Sequence, residues 1–209
     1  MKETNDKKRL TKDQIKLGNN WERVVIGKKD IENKEIYPRE ISRYNFASKF
    51  IKKNMKVLEL GCSSGYGTQL IEKDIKYTGV DYDEAIVKYA TKNFGDANHD
   101  FVFVNIDKFL ERMTKYDVII AFEILEHLKN GKQLAQKLKK HCDTLLATIP
   151  HNEPIGFWGE HHVLHKLTEK DFPRFKIKYI HQDGKIDDNS DIEVAGLLML
   201  VWQSEGGAK

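Results

Sequence analysis

One short segment constrains this chain more than any other. An apolar run, Lys56–Leu60 (KVLEL), leads directly into Glu59-Leu-Gly61-Cys-Ser63-Ser64-Gly65-Tyr-Gly67. A buried strand that ends in a glycine loop and hands over to a helix belongs to open α/β sheets. Gly61 permits a tight turn, and Gly65 lets backbone approach a ligand closely. A dinucleotide loop wants G-x-G-x-x-G. Here the spacing is G-x-x-x-G-x-G, with an acid, Glu59, just before it. That acid would repel a pyrophosphate and attract an ammonium group, which counts against a dehydrogenase.

The rest of the chain fits this opening. Residues 38–53 carry apolar side chains at helical spacing, with Pro38 as a first-turn residue. Strands are expected at 56–60, 77–80, 101–104, 116–121 and 144–149, with helices at 68–73, 84–93 and 132–141 between them. This alternation predicts a doubly wound, Rossmann-like α/β sheet that is mostly parallel. Residues 175–181 and 193–203 read as two further strands, joined by a polar, turn-rich link at 183–191. They predict an antiparallel C-terminal hairpin and seven strands in all. Residues 1–37 read as an N-terminal arm, and 38–209 as a single domain.

Composition narrows the function classes. The net charge is +3, from 35 Lys+Arg against 32 Asp+Glu, so a dedicated nucleic-acid binder is not expected. There is no apolar run of about 18 residues, so no membrane span is expected. The charged start MKETNDKKRL lacks an apolar leader core, and two cysteines make no disulfide framework, so the expected compartment is the cytoplasm.

A second acid closes the second strand, Asp81 in Tyr77-Thr-Gly79-Val-Asp81. A carboxylate there can accept from both hydroxyls of a ribose. VLELGCSSGYG followed by YTGVD resembles the first two motifs of the class I S-adenosylmethionine-dependent methyltransferases, over about residues 40–203. Ser63 departs from that pattern, which usually has glycine. The resemblance implies S-adenosylmethionine as cofactor. It would place Glu59, Gly61, Ser63 and Gly65 at the methionine end, Asp81 and Tyr82 at the ribose, and Asp107 at the adenine amine. Phe122 and Tyr44 would cover the cofactor. Asp107 also reads as a helix N-cap.

Strand four runs into Phe122-Glu123-Ile-Leu-Glu126-His127. If helical, the i, i+3, i+4 spacing shows Glu123, Glu126 and His127 on one face. After strand five come His151 and Glu160-His161-His162-Val-Leu-His165. Histidines so concentrated suit proton transfer or metal ligation. The element resembles metal-dependent small-RNA 2′-O-methyltransferases and quinone-pathway O-methyltransferases. That resemblance implies a divalent metal (Mg, Mn, Fe or Zn) on Glu123, Glu126, His127 and His162, with catalysis from His127, Glu126 and either His162 or His161. Without a metal, a histidine serves as general base. Phe157 and Trp158 between glycines suggest an aromatic lid over the acceptor. The expected acceptor is a hydroxyl on a small molecule or a glycan precursor; RNA ribose and a quinone precursor are the alternatives. An inert binding module that merely keeps the fold is a further class, tested by cofactor binding.

Overall fold

A computed structural model describes residues 25–32, 38–158, 160–192 and 196–206. Five parallel strands form the frame: β1 (Lys56–Leu60), β2 (Lys76–Asp81), β3 (His99–Phe103), β4 (Tyr116–Phe122) and β5 (Cys142–Pro150). Helices α1 (Lys28–Glu32), α2 (Pro38–Ala47), α3 (Glu84–Phe94), α4 (Ile106–Leu110) and α5 (Gly131–Leu138) lie around it. Three more strands complete the sheet: β6 (Lys176–Ile180), β7 (Ile186–Asp187) and β8 (Leu197–Gln203). The strand order is β3-β2-β1-β4-β5-β8-β6-β7.

The strands are apolar on both faces because both faces are covered. Alternate residues of β1 divide between two cores. Val57 joins the core under α2 and α3, with Tyr77, Val118, Ile120, Ile86 and Ala90. Leu58 and Leu60 join the core under α4 and α5, with Val80, Ile119, Ile106 and Leu134.

The structure corrects several expectations. The sheet has eight strands, not seven, because the polar link after β6 folds back as the two-residue edge strand β7. The two strands expected as an antiparallel C-terminal hairpin do pair antiparallel, as β6 and β8. β8 inserts between β5 and β6 and is antiparallel to both. Its buried residues 197–201 need cover on both faces, and a central position supplies it. The expected helix at 68–73 shrinks to one 3-10 turn, Tyr66–Gln69. The helix expected over 38–53 ends at Ala47, and the chain turns at Asn54, where φ is +67°.

Residues 1–24 and 33–37 of the expected arm lie outside the described residues, as do 193–195 of the last expected strand. Residues 25–32 pack onto the domain. Val25 and Ile26 are buried, and the Ser64 hydroxyl donates to the Ile26 carbonyl at 3.0 Å while accepting from its N–H at 3.1 Å. No helix among the described residues is long and apolar enough to cross a membrane.

Candidate active site

The strand order reverses between β1 and β4, and open α/β sheets bind ligands beyond the strand ends at such a point. A cleft of about 450 Å³ lies there. The segments after β1 and β2 supply Gly61, Ser63, Asp81 and Tyr82 to its lining, and those after β4 and β5 supply Glu123, Glu126, His127, Trp158, His161 and His162.

The glycine loop is held in left-handed backbone. Gly61 sits at φ +70° and Gly65 at φ +78°. A Cβ on Gly65 would come within 2.6 Å of the Phe101 ring, so the position excludes any side chain. Ser63 adopts φ +48°, a conformation that costs about 1 kcal/mol in a non-glycine residue. Asp81 holds it there: its Oδ2 accepts from the Ser63 N–H at 3.0 Å, and its Oδ1 accepts from the Asp83 N–H at 3.1 Å. The serine in place of glycine therefore preserves the loop geometry.

Glu59 lies behind this loop and is not among the residues lining the cleft. Its carboxylate is 1% exposed and accepts from the Tyr44 and Tyr77 hydroxyls, both at 2.5 Å. Burial pushes its carboxyl up to about 7 against the pull of the two hydroxyls. Tyr44 and Phe122 line the cleft as an edge-to-face pair 5.2 Å apart. Arg43 pairs with Glu40 and donates to the Tyr66 hydroxyl at 2.9 Å. Burial works against the Arg43 charge, and Glu40, Tyr66, Tyr44 and Glu123 together more than restore it.

Asp107 is exposed in the first turn of α4, and the cap is Asn105, whose side chain accepts from the Asp107 N–H at 2.9 Å. The neighbours that line the cleft are Asn105 and Ile106. Tyr82 lines the rim and is 67% exposed.

Glu123, Glu126 and His127 do not share a helix face. Glu123 turns to φ +51°, and only Leu125–His127 form a 3-10 turn. The imidazoles converge instead. His127 stacks on His161 with centroids 5.3 Å apart, and His162 meets both edge-on at 4.7 Å. One ligand atom from each lies within 4.8 Å of the others. His151 pairs with Glu169 instead, at 3.7 Å, and neither it nor His165 joins this group.

Backbone from the two segments locks the cluster. The Glu126 carbonyl accepts from the Val163 and Leu164 N–H groups, and the His161 carbonyl accepts from His127 Nδ1 at 3.2 Å. Burial, and then His162, push the His127 imidazole down to about 4, so it is neutral at neutral pH. Glu126 is fully buried, and neither of its carboxylate oxygens has a hydrogen-bond partner. Burial first, and Glu123 second, hold its carboxyl well above the usual range.

Residues 58–144 match a family model described as a methyltransferase domain. The ubiquinone biosynthesis O-methyltransferase of Rickettsia bellii is 25% identical over 174 residues, covering 77% of this chain and 69% of the relative. The malonyl-[acyl-carrier protein] O-methyltransferase of Bacillus cereus is 31% identical over 91 residues, 42% of this chain and 34% of the relative. Among solved structures, the plantazolicin methyltransferase BpumL bound to SAH aligns with TM-score 0.60 at 16% identity, over 93% of this chain and 91% of that one. The bifunctional kinase-methyltransferase WbdD aligns with TM-score 0.56 at 14% identity, over 78% of this chain and 37% of that one. These two show the fold. Together the matches support an S-adenosylmethionine-dependent methyltransferase.

In the loop after β5, the residue that the sequence did not single out is Glu153. It is 1% exposed and accepts from His162 Nδ1 at 2.7 Å and from the Trp158 N–H at 3.3 Å. Its only sequence signal is its place in the loop directly after the fifth strand. Trp158 lines the cleft with the Arg39 guanidinium 5.4 Å over its ring, whereas Phe157 is 48% exposed.

Glu126 is costly to stability, since a buried acid without a hydrogen bond among the described residues costs about 1–3 kcal/mol, and its Oε1 meets His127 Nε2 only at 3.9 Å. Replacing it with methionine, which has similar length and no polar oxygen, is expected to raise Tm by about 2–4 °C per kcal/mol recovered. The same variant is expected to lose methyl transfer and keep affinity for S-adenosylhomocysteine. Differential scanning fluorimetry and calorimetry read the two effects, and full retained activity would remove Glu126 from the site.

Proposed function

We propose that the chain is an S-adenosylmethionine-dependent O-methyltransferase acting on a hydroxyl of a small acceptor. The observation that carries this reading is a single cleft lined both by the glycine loop with Asp81 and by the His127–His161–His162 cluster. The cofactor's sulfonium supplies the electrophilic methyl carbon. Gly61 and Gly65 let backbone close on the methionine end, and the Asp81 carboxylate at the end of β2 accepts from the ribose hydroxyls. The imidazole cluster stands where the acceptor hydroxyl must lose its proton, and His162 takes that proton on Nε2 as general base. Trp158 excludes water and offers a flat face to a ring acceptor.

The names of the relatives favour oxygen as the acceptor atom. A catechol-type quinone precursor is the first acceptor to test, sugar hydroxyls of a glycan precursor are the second, and RNA ribose, disfavoured by the modest charge, is the third. The proposed compartment is the cytoplasm. The decisive experiment is incubation with isotopically labelled S-adenosylmethionine and a panel of these acceptors. Label in a methyl ether product confirms the reading, and failure to bind S-adenosylhomocysteine would overturn it.

One observation favours a metal-assisted form of the same reaction. Three imidazoles with donor atoms within 4.8 Å, beside the orphaned Glu126 oxygens, fit a divalent cation. His127, His161 and His162 would hold it. Of the four ligands expected, His127 and His162 are in this group, Glu123 and Glu126 are not, and His161 joins it. A nitrogen-rich set suits Zn or Fe better than Mg. The cation would lower the pKa of a bound hydroxyl. Calorimetric titration of chelator-treated, S-adenosylhomocysteine-saturated protein with Zn and with Mn tests it: one-to-one binding supports the metal, and no binding leaves the imidazole as base.

A further inference from the structure

Glu153 is buried, acidic and outside the cofactor-binding loop, and nothing in the reaction outlined above requires it to touch cofactor or acceptor. A buried carboxylate costs several kcal/mol unless it is paired, so its partners show what it does. It has two side-chain contacts, one on each oxygen: His162 Nδ1 at 2.7 Å and the Trp158 N–H at 3.3 Å. Its own backbone is pinned as well. The Glu153 carbonyl accepts from the Lys166 N–H at 3.0 Å, and next to it the Asn152 N–H donates to the Leu167 carbonyl at 2.8 Å. These two bonds close the stem of the loop that carries Trp158, His161 and His162. The far side of the cluster is fixed by the Glu126 carbonyl through Val163 and Leu164. Carboxylate and imidazole therefore meet with both backbones held.

We propose that Glu153 is the positioning residue of this site, holding His162 in the Nδ1–H tautomer so that Nε2 keeps its lone pair, and tying that state to the placement of Trp158. The inference rests on the reading of His162 as the working imidazole. A carboxylate only accepts, so a neutral His162 bonded to it carries its proton on Nδ1. Nε2 is then the nitrogen that carries the lone pair, and an outer carboxylate of this kind fixes the tautomer and the ring orientation. His127 is set the same way by a weaker acceptor, the His161 carbonyl at 3.2 Å. The second oxygen of Glu153 makes the lid part of the same unit, because a shift of Trp158 withdraws a donor from the carboxylate that orients the imidazole.

The test reads the tautomer directly. In 15N-histidine protein saturated with S-adenosylhomocysteine, long-range 1H–15N correlation separates Nδ1–H from Nε2–H rings, and His162→Gln assigns the signal. The expected result is an Nδ1–H ring for His162 in the wild type. Glu153→Gln can turn its amide NH2 toward Nδ1, so the Nε2–H form gains population. Glu153→Asp keeps a carboxylate and restores the Nδ1–H form in part. With the best acceptor of the panel above, Glu153→Gln lowers kcat about 10- to 100-fold while KM and cofactor affinity stay within about twofold. An Nε2–H ring in the wild type overturns the proposal without any variant. So does a Glu153→Gln protein with an unchanged tautomer, or a shifted tautomer with unchanged kcat. The tautomer shift needs no acceptor, so it stands or falls separately from the methyl-transfer reading.

Discussion

Asp81→Ala is expected to raise the Kd for S-adenosylhomocysteine by about 100-fold or more in isothermal titration. Hydrogen bonds to a charged group contribute about 1.5–3 kcal/mol each, and a ribose presents two hydroxyls to this carboxylate. The loss extends beyond those contacts. Asp81 also accepts from the Ser63 and Asp83 N–H groups, one on each oxygen. Without it Ser63 has no carboxylate to hold its strained left-handed backbone, and the loop that should meet the methionine end loosens. Asp81→Asn is expected to do almost as badly. Both oxygens already accept backbone N–H groups, and an amide must offer an NH2 to one of them. Unchanged affinity in the alanine variant, with a native circular dichroism spectrum, would sink the ribose assignment.

His162→Gln is expected to lower the transfer rate by about 100-fold or more while cofactor affinity stays within about twofold. General acid–base groups contribute about 10² to 10⁴ in rate. The imidazole is in the cleft lining but comes from the loop after β5, away from the glycine loop, which separates the two effects. The variant leaves the Glu153 carboxylate with the Trp158 backbone N–H as its remaining donor among the described residues, so some loss of stability accompanies it. Steady-state kinetics with labelled cofactor, beside a calorimetric Kd, distinguish lost chemistry from lost binding. A variant that transfers at the wild-type rate would remove His162 from the reaction and return the role to His127 or His161.

His127 and His162 differ in a way that local sequence does not reveal. Both occur in segments read as catalytic from residue type alone. His127 is driven down to about 4 by burial and by its histidine neighbours, a consequence of which rings the fold brings within 5 Å or so of it. His162 also meets two rings, those of His127 and His161, and in addition bonds to Glu153, nine positions upstream and across a loop. Neither environment follows from spacing, because the loop between β5 and β6 has no repeating pattern to read.

What the sequence determined by itself is the frame and the end of the cleft lined by the glycine loop and Asp81. Apolar runs of strand length, ending in Gly61 and in Asp81, specify parallel strands whose C-terminal ends meet at one crevice, because such strands must be covered on both faces by intervening helices. Positive φ at Gly61 and Gly65 follows from residue type, since only glycine enters that region freely. The tertiary structure alone decided three things. It placed β8 between β5 and β6, a matter of covering two apolar faces at once. It put Glu59 behind the loop between two tyrosine hydroxyls rather than in the cleft, because β2 and α2 bring Tyr77 and Tyr44 to it from opposite directions in the chain. It also assembled His127, His161, His162 and Glu153, drawn from two loops, where non-local backbone hydrogen bonds and burial, rather than helical periodicity, set which side chains meet.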